Sequence, residues 1–147
     1  MQKDVLLEIV KQNQFTSHFS FDRVAEENAN LRLNDKSASI GFIFRHIGET
    51  IHLFGQFFGV PTDVKSTTLG QIDSGEQYDV SFSRELIARG YQMLRDLVET
   101  SREEDWLKPV ETPFFGTVSR ARLLAHVLFH NSHHAGQISL TLSKGSR

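Results

Sequence analysis

Hydrophobic side chains recur every three or four residues in four segments of the chain, the spacing of helices with one buried face. The second segment shows this pattern most clearly. Ser37 is a candidate N-cap at its start, and Gly59 and Pro61 are expected to end it. The sequence therefore predicts a helix whose buried face carries Ile40, Ile43, Phe44, Ile47, Ile51, Phe54 and Phe58.

The other three helices are predicted over about residues 3–22, 83–100 and 119–143, where the same periodicity returns. The stretch 20–33 is ambiguous, because it could lengthen the first helix, kink it or form another short helix. Four amphipathic helices in one short chain bury their apolar faces most simply against one another. We therefore predict a single domain over residues 1–147, an all-α, four-helix up-and-down bundle with long connections.

Two connections between the predicted helices are long. Residues 61–80 are polar, contain two glycines and have no periodicity, so they are expected to form a loop. Loops of this length inside a small domain are often functional. The linker 105–120 contains LKPVETP, which has two β-favouring pieces that are too short to assign as strands.

Composition and charge exclude several classes of protein. The 147 residues are 39% hydrophobic and 23% charged, which is typical of a globular domain. A net charge of −2 argues against nucleic acid as a partner, and no segment approaches the roughly 20 apolar residues of a membrane span. The absence of cysteine excludes disulfides, thiolate metal sites and a cysteine nucleophile. The first residues do not resemble a signal peptide, so we expect a cytoplasmic protein.

The seven histidines are the candidates for chemistry, and four of them lie within nine residues of the fourth helix. At 100° per residue, His130 and His134 fall about 40° apart on the inward face, whereas His126 and His133 lie on its flank. One histidine on an apolar face is usually a core residue. Two imidazoles one turn apart, however, can bind the same metal ion, and this grouping favours a metal site.

A metal site needs at least a third protein ligand, and His46 on the second helix is the best candidate. It lies within the broad apolar face of that helix but away from its centre. His18 could line the same cavity from the first helix, whereas His52 is expected on the solvated face. Glu49 could orient an imidazole, or it could be an ordinary solvated carboxylate.

The segment LLAHVLFHNSHHAGQI (Leu123 to Ile138) and the FRHIGE run around His46 resemble the DinB/YfiT-like superfamily of metalloenzymes. The resemblance implies a four-helix bundle in which three histidines bind a divalent metal. One comes from the second helix and two, four residues apart, come from the fourth. Carried over to this sequence, the implied ligands are His46, His130 and His134, with zinc or nickel as the expected ion.

Two positions near the paired histidines bear on this resemblance. The family motif commonly has arginine between the second histidine and the Gly-Gln pair, and Ala135 occupies that position here. The residue at this position therefore departs from the family's pattern, and the role of that arginine, whether packing or contact with an anion, is not carried over to this chain. Gln137 falls close to His130 on the helical wheel, so it could contact that imidazole, or it could be a surface residue.

The resemblance implies an enzyme that acts on a small molecule, with thiol S-transferase-like or hydrolase-like activity. The sulfur of a low-molecular-weight thiol would come from the cosubstrate. Because ligand histidines must be neutral, we expect metal affinity to fall as the pH drops through about 6.5. The alternative is a non-enzymatic bundle that uses metal for stability, binding or dimerisation. A homodimer is expected, and its seam could include Phe57, Phe58, Phe114 and Phe115, which could equally be core residues.

Overall fold

The computed structural model describes residues 2–147 and consists mainly of four helices. These are α1 (Gln2–Phe21), α2 (Ile40–Phe57), α3 (Val80–Thr100) and α4 (Arg120–Lys144). The linker before α4 forms an antiparallel hairpin of β1 (Pro109–Thr112) and β2 (Gly116–Ser119). Single 3-10 segments lie at Glu26–Asn28 and Glu103–Leu107. The predicted all-α, four-helix bundle with long connections is confirmed, and the stretch after α1 forms a short separate helix.

The helices begin where polar side chains can satisfy their first free backbone N–H groups. The prediction that Ser37 caps α2 is wrong, because Ser39 accepts the hydrogen bond from the Phe42 N–H at 3.2 Å. The Ser37 hydroxyl instead bonds both backbone groups of Asn34 within the preceding turn. Asp79 and Ser119 cap α3 and α4 in the same way as Ser39 caps α2.

Helices α2 and α3 lie side by side and run in the same direction. Gly48 lies against Leu86, and Gly90 lies against Ile51, so that a methyl group on either glycine would stand 2.7 Å from its neighbour. Parallel neighbours require a connection that returns along the whole helix, which is about 27 Å for a helix of this length. Residues 58–79 provide that connection, and the long loop predicted here is therefore a structural necessity.

Helix α1 packs against α3 and α4, and α2 packs against the same two helices, so α1 and α2 lie diagonally across the bundle. Helix α1 is parallel to α4, since Asn13 bonds Ser132 and Ser20 bonds Ser139. The helix directions are therefore up, down, down and up. The predicted up-and-down alternation therefore holds between α1 and α2 and between α3 and α4. It does not hold between α2 and α3, which the long connection makes parallel.

The core fills the space between the four helices and extends under the hairpin. Phe58 is 5% exposed and lies under the Arg120 guanidinium, so it is unavailable for the suggested dimer seam. Phe114 and Phe115 lie at the hairpin turn, partly exposed, with both rings stacked near Phe54. Among residues 2–147, no helix is long and apolar enough to cross a membrane.

Candidate metal centre

The structure brings His46, His130 and His134 together from two facing helices. The Nε2 atom of His130 lies 3.1 Å from the Nε2 of His46 and 3.1 Å from the Nε2 of His134. One ligand atom from each residue falls within 4.8 Å of the other two. All three side chains are partly buried. The sequence thus identified a trio that converges in space, although the two helices are 84 residues apart at the His46–His130 contact.

These spacings match the demands of a single metal ion. A tetrahedral ion with bonds of about 2.0–2.1 Å places its ligand nitrogens about 3.3–3.4 Å apart, and neighbouring ligands of an octahedral ion lie roughly 3.0 Å apart. The observed distances of 3.1 Å fall between the two values. A neutral imidazole has one ring nitrogen that carries a lone pair, and one ligand nitrogen from each of the three residues lies within 4.8 Å of the others. The residues present therefore fit a divalent ion.

A neighbouring hydroxyl determines the tautomer of His46. The Thr68 Oγ1 donates its only proton to Glu49 at 2.8 Å and lies 3.1 Å from the Nδ1 of His46. Because that hydroxyl has no second proton to give, it accepts the hydrogen bond from His46 Nδ1–H. The Nε2 of His46 is then the unprotonated nitrogen, and its lone pair faces the other two histidines.

Glu49 is buried, with 2% of its surface exposed, and the solvated alternative is wrong. Its two oxygens accept four hydrogen bonds from the backbone N–H groups and hydroxyls of Thr67 and Thr68, at 2.7–3.0 Å. The carboxylate orients His46 through Thr68 rather than directly. Sequence reasoning missed Thr67 and Thr68, because they lie in the loop without periodicity and only the tertiary structure brings that loop back to α2.

Gln137 orients a different imidazole from the one that the helical wheel suggested. Its Oε1 lies 2.6 Å from the Nδ1 of His134, one turn before it on α4. An amide oxygen only accepts, so His134 Nδ1 carries the proton and its Nε2 carries the lone pair. The Nδ1 of His130 is buried and has no hydrogen-bond partner among residues 2–147. Two of the three imidazoles are therefore held by named side chains.

Burial keeps the three imidazoles neutral. Burial and, secondarily, His134 lower the pKa of His46 from 6.5 to about 4, against an opposing effect of Glu49. Burial, followed by the neighbouring histidines, lowers the pKa of His130 to about 2. Burial also lowers the pKa of His134, although the Gln137 hydrogen bond opposes the shift. All three therefore offer lone pairs at neutral pH, as metal binding requires.

Two other histidines lie elsewhere than expected. His52 is buried rather than solvated, because α3 packs against that side of α2, away from the three converging histidines, and its Nε2 donates to the Leu86 carbonyl at 2.9 Å. His18 does not line the site. It is exposed on α1 and pairs with Asp22 one turn later, at 2.9 Å.

His126 and His133 flank the trio, as their wheel positions predicted. The His126 ring packs against Phe115, 4.5 Å between ring centroids, and lies 6.2 Å from the ring of His130. The His133 ring is exposed and lies 5.0 Å from that of His134. Neither contributes a nitrogen to the converged group.

A cavity of about 360 Å³ opens beside His46 and His134. It lies between the first half of α2, the second half of α4 and loop residues 68–71. A larger and more open hollow of about 790 Å³ lies between α2, α3 and residues 60–63, but none of the three histidines lines it. The smaller cavity is therefore the one that a reactant would occupy.

Comparison with solved structures supports the fold. The structure is similar to that of a Bacillus subtilis protein, YfiT, described as a probable metal-dependent hydrolase with an unusual four-helix bundle topology. The TM-score is 0.72, with 14% identity over 97% of this chain and 87% of YfiT. A conserved protein from Enterococcus faecalis is similar with a TM-score of 0.64 and 11% identity, over 96% of this chain and 97% of that one.

Comparison of the sequence with curated proteins finds no match. The family model of the DinB superfamily matches residues 11–138, which include α2, α3 and all three converging histidines. That match spans most of the chain and agrees with the fold. The chain therefore belongs to the DinB superfamily.

Proposed function

We propose that the chain is a metal-dependent hydrolase whose divalent ion, zinc or nickel, is bound by His46, His130 and His134. The observation that carries this proposal is the convergence of three neutral imidazoles on one point beside a cavity. Neutral nitrogen ligands suit zinc and nickel better than magnesium or calcium, which prefer oxygen. The description of YfiT as a probable metal-dependent hydrolase supports the class of reaction.

Three protein ligands are the arrangement of catalytic rather than structural metal sites. A divalent ion among neutral ligands supplies Lewis acidity and, in hydrolytic sites, polarises a substrate carbonyl. The protein's own contribution is orientation. Thr68 keeps the proton of His46 on Nδ1, and Gln137 does the same for His134. Both arrangements hold the lone pairs toward the shared point before any ion binds.

Hydrolysis also fits the size of the site better than thiol transfer does. Because the chain has no cysteine, thiol transfer would require a sulfur-bearing cosubstrate together with the acceptor. The cavity of about 360 Å³ lies at the small end of ligand pockets, which span roughly 300–1,000 Å³. One small organic substrate and a water molecule fit this volume more readily than two organic substrates.

The test measures metal content and turnover together. Elemental analysis of the purified protein is expected to find zinc or nickel, and a panel of esters, amides and thiol-transfer reactions is expected to reveal hydrolysis. His130→Ala is expected to abolish both metal binding and turnover. His133→Ala is the matched control, because this exposed imidazole on the same helix lies outside the converged group.

Two outcomes would contradict the proposal. Retention of metal and turnover by His130→Ala would remove the trio from the reaction. A metal that raises the melting temperature while no ester, amide or thiol substrate is converted would favour the non-enzymatic bundle.

The homodimer, the cytoplasmic location and the absence of nucleic acid among the partners stay predictions. With Phe58 buried, a dimer seam near the hairpin would depend on Phe114 and Phe115, which are 47% and 42% exposed. Sedimentation of the protein and of Phe114→Ser would test this. We expect the variant to shift toward the monomer if these rings lie in the seam.

A further inference from the structure

The cavity beside His46 and His134 runs along two helices and has largely apolar walls. It extends from the rings of His46 and His134 toward the start of α2 and the end of α4. Successive turns of the two helices therefore line its length, with loop residues 68–71 along one side. Its apolar walls come from Leu33, Ala38, Phe42, Ile43 and Leu140.

Among the described residues 2–147, no charged side chain lines this cavity. Its thirteen lining residues include no aspartate, glutamate, lysine or arginine. Two carboxylates lie close behind the wall, but both are already compensated. Asp73 pairs with Arg32 at 3.0 Å and accepts from the Ser39 N–H at 2.8 Å. Glu49 accepts its four hydrogen bonds from Thr67 and Thr68.

A charged ligand group would lose its hydration in this cavity and gain no ionic partner. The cost of burying an unpaired charge exceeds that of burying a neutral polar group, so a charged tail would be rejected strongly. An apolar tail, by contrast, would gain about 25 cal/mol for each Å² of surface that it removes from water. The lining therefore discriminates between ligands first by the charge of the group that enters the cavity, and only then by its shape.

We propose that this cavity binds the apolar, uncharged tail of the substrate, and that the substrate is a neutral ester or amide with a small hydrocarbon acyl group. This inference rests on the proposed hydrolase function and adds the substrate class to it. The reacting carbonyl lies at the histidine end of the cavity and the hydrocarbon tail lies between Phe42, Ile43 and Leu140.

The experiment uses three hydroxamates that share one metal-binding head and differ only in the tail. They are hexanohydroxamate, its analogue with a terminal ammonium group and its analogue with a terminal carboxylate. Calorimetry on the zinc-loaded protein is expected to show that the neutral tail binds roughly tenfold or more tightly than either charged tail. The leucine methyl signals of the metal-free protein, followed by NMR, are expected to give the same order.

Leu140→Lys places a cation in the cavity wall at a side chain that is 50% exposed, so the fold should tolerate it. This variant is expected to weaken the neutral ligand and to favour the carboxylate tail. Ile9→Lys is the matched control, since Ile9 is 48% exposed on α1 and does not line this cavity. It should leave the order of the three ligands unchanged.

The outcomes separate this proposal from the proposed function. Equal affinities for the three tails, no binding of any of them, or an unchanged order in Leu140→Lys would overturn the cavity assignment. The expected order without hydrolysis of any ester or amide would support the cavity and contradict the hydrolase. Equal hydrolysis of neutral and charged substrates would support the hydrolase and contradict the cavity.

Discussion

Helix α2 carries a buried histidine, His52, and a partly buried one, His46, on different sides, and their ring nitrogens meet different partners. The Nε2 of His52 donates to the Leu86 carbonyl, so that imidazole joins α2 to α3. The Nε2 of His46 faces the Nε2 of His130, and its Nδ1 proton is held by Thr68. Burial lowers the pKa of both rings. Burial alone therefore does not distinguish a candidate metal ligand from a structural histidine, whereas the convergence of ring nitrogens from three histidines does.

The largest expected effect comes from removing each imidazole in turn. His46→Ala should reduce metal affinity by more than the roughly 100-fold upper value for the loss of an orienting partner, because a ligand itself is lost. His52→Ala should keep the metal and lose about 1–3 kcal/mol of folding free energy, since the Leu86 carbonyl loses a buried donor. Metal titration and urea denaturation of both variants measure the contrast. Equal metal loss in both would remove the distinction between the two rings.

The second-largest expected effect comes from removing the side chain that orients His46. Thr68→Val keeps the side-chain shape but removes the hydroxyl that accepts from His46 Nδ1. We expect about tenfold weaker metal binding, within the roughly 10–100-fold range for such partners. Thr67→Val is the control, because it removes one hydrogen bond to Glu49 and leaves the contact with His46 in place. Identical affinities in the two variants would show that Thr68 does not orient the ligand.

A smaller effect is expected at Gln137. Gln137→Leu removes the acceptor for His134 Nδ1–H, on a ring that the helix already confines. Metal affinity should fall a few-fold, less than in Thr68→Val. Competition with a colourimetric chelator resolves a difference of this size, and a loss larger than that of Thr68→Val would reverse the order of importance.

The smallest expected effect concerns metal affinity at mildly acidic pH. From the sequence alone, metal affinity is expected to fall as the pH drops through about 6.5, where unperturbed histidines titrate. The burial of these rings revises that expectation. Because burial lowers the pKa of His46 to about 4, the folded protein should bind metal almost equally well at pH 7 and pH 6. Chelator competition across this range measures it. A steep loss near pH 6.5 would mean that the rings titrate normally.

In the metal-free protein, by contrast, the same lowered pKa values predict a loss of folding stability at acidic pH. Below about pH 6.5 the histidines of the unfolded chain bind protons, whereas the buried rings of the folded chain stay unprotonated. The free energy of unfolding should therefore fall from pH 6.5 toward pH 4, where His46 begins to take up a proton, and keep falling more slowly toward the pKa of His130, about 2. Urea denaturation of the metal-free protein should show this loss, and His46→Ala should show less of it.

The helices and the pair of His130 and His134 were accessible to sequence analysis because both depend on local periodicity. His46 lies off the centre of its apolar face, and the family resemblance was needed to complete the trio. All four predicted helices are present, and the inward position of His130 and His134 follows from their spacing with Leu123, Val127 and Ile138. The cap at Ser37 and the exposure of His52 were wrong for different reasons. Two serines stand two residues apart before α2, and periodicity does not decide which of them caps the helix, whereas the structure shows that Ser39 does. His52 is buried because α3 packs against that side of α2, and helical periodicity carries no information about which segment packs there.

The sequence by itself determined the helices, the bundle and the inward position of His130 and His134, since 3.6-residue periodicity sorts side chains between the interior and solvent. The tertiary structure brings His46 to them. Only the tertiary structure decided how those imidazoles are held. The parallel course of α2 and α3 requires the 58–79 connection to return along the bundle, and this return places Thr68 between Glu49 and His46. It also closes one side of the uncharged cavity. Contacts between residues distant in sequence arise from chain path, which no local pattern encodes.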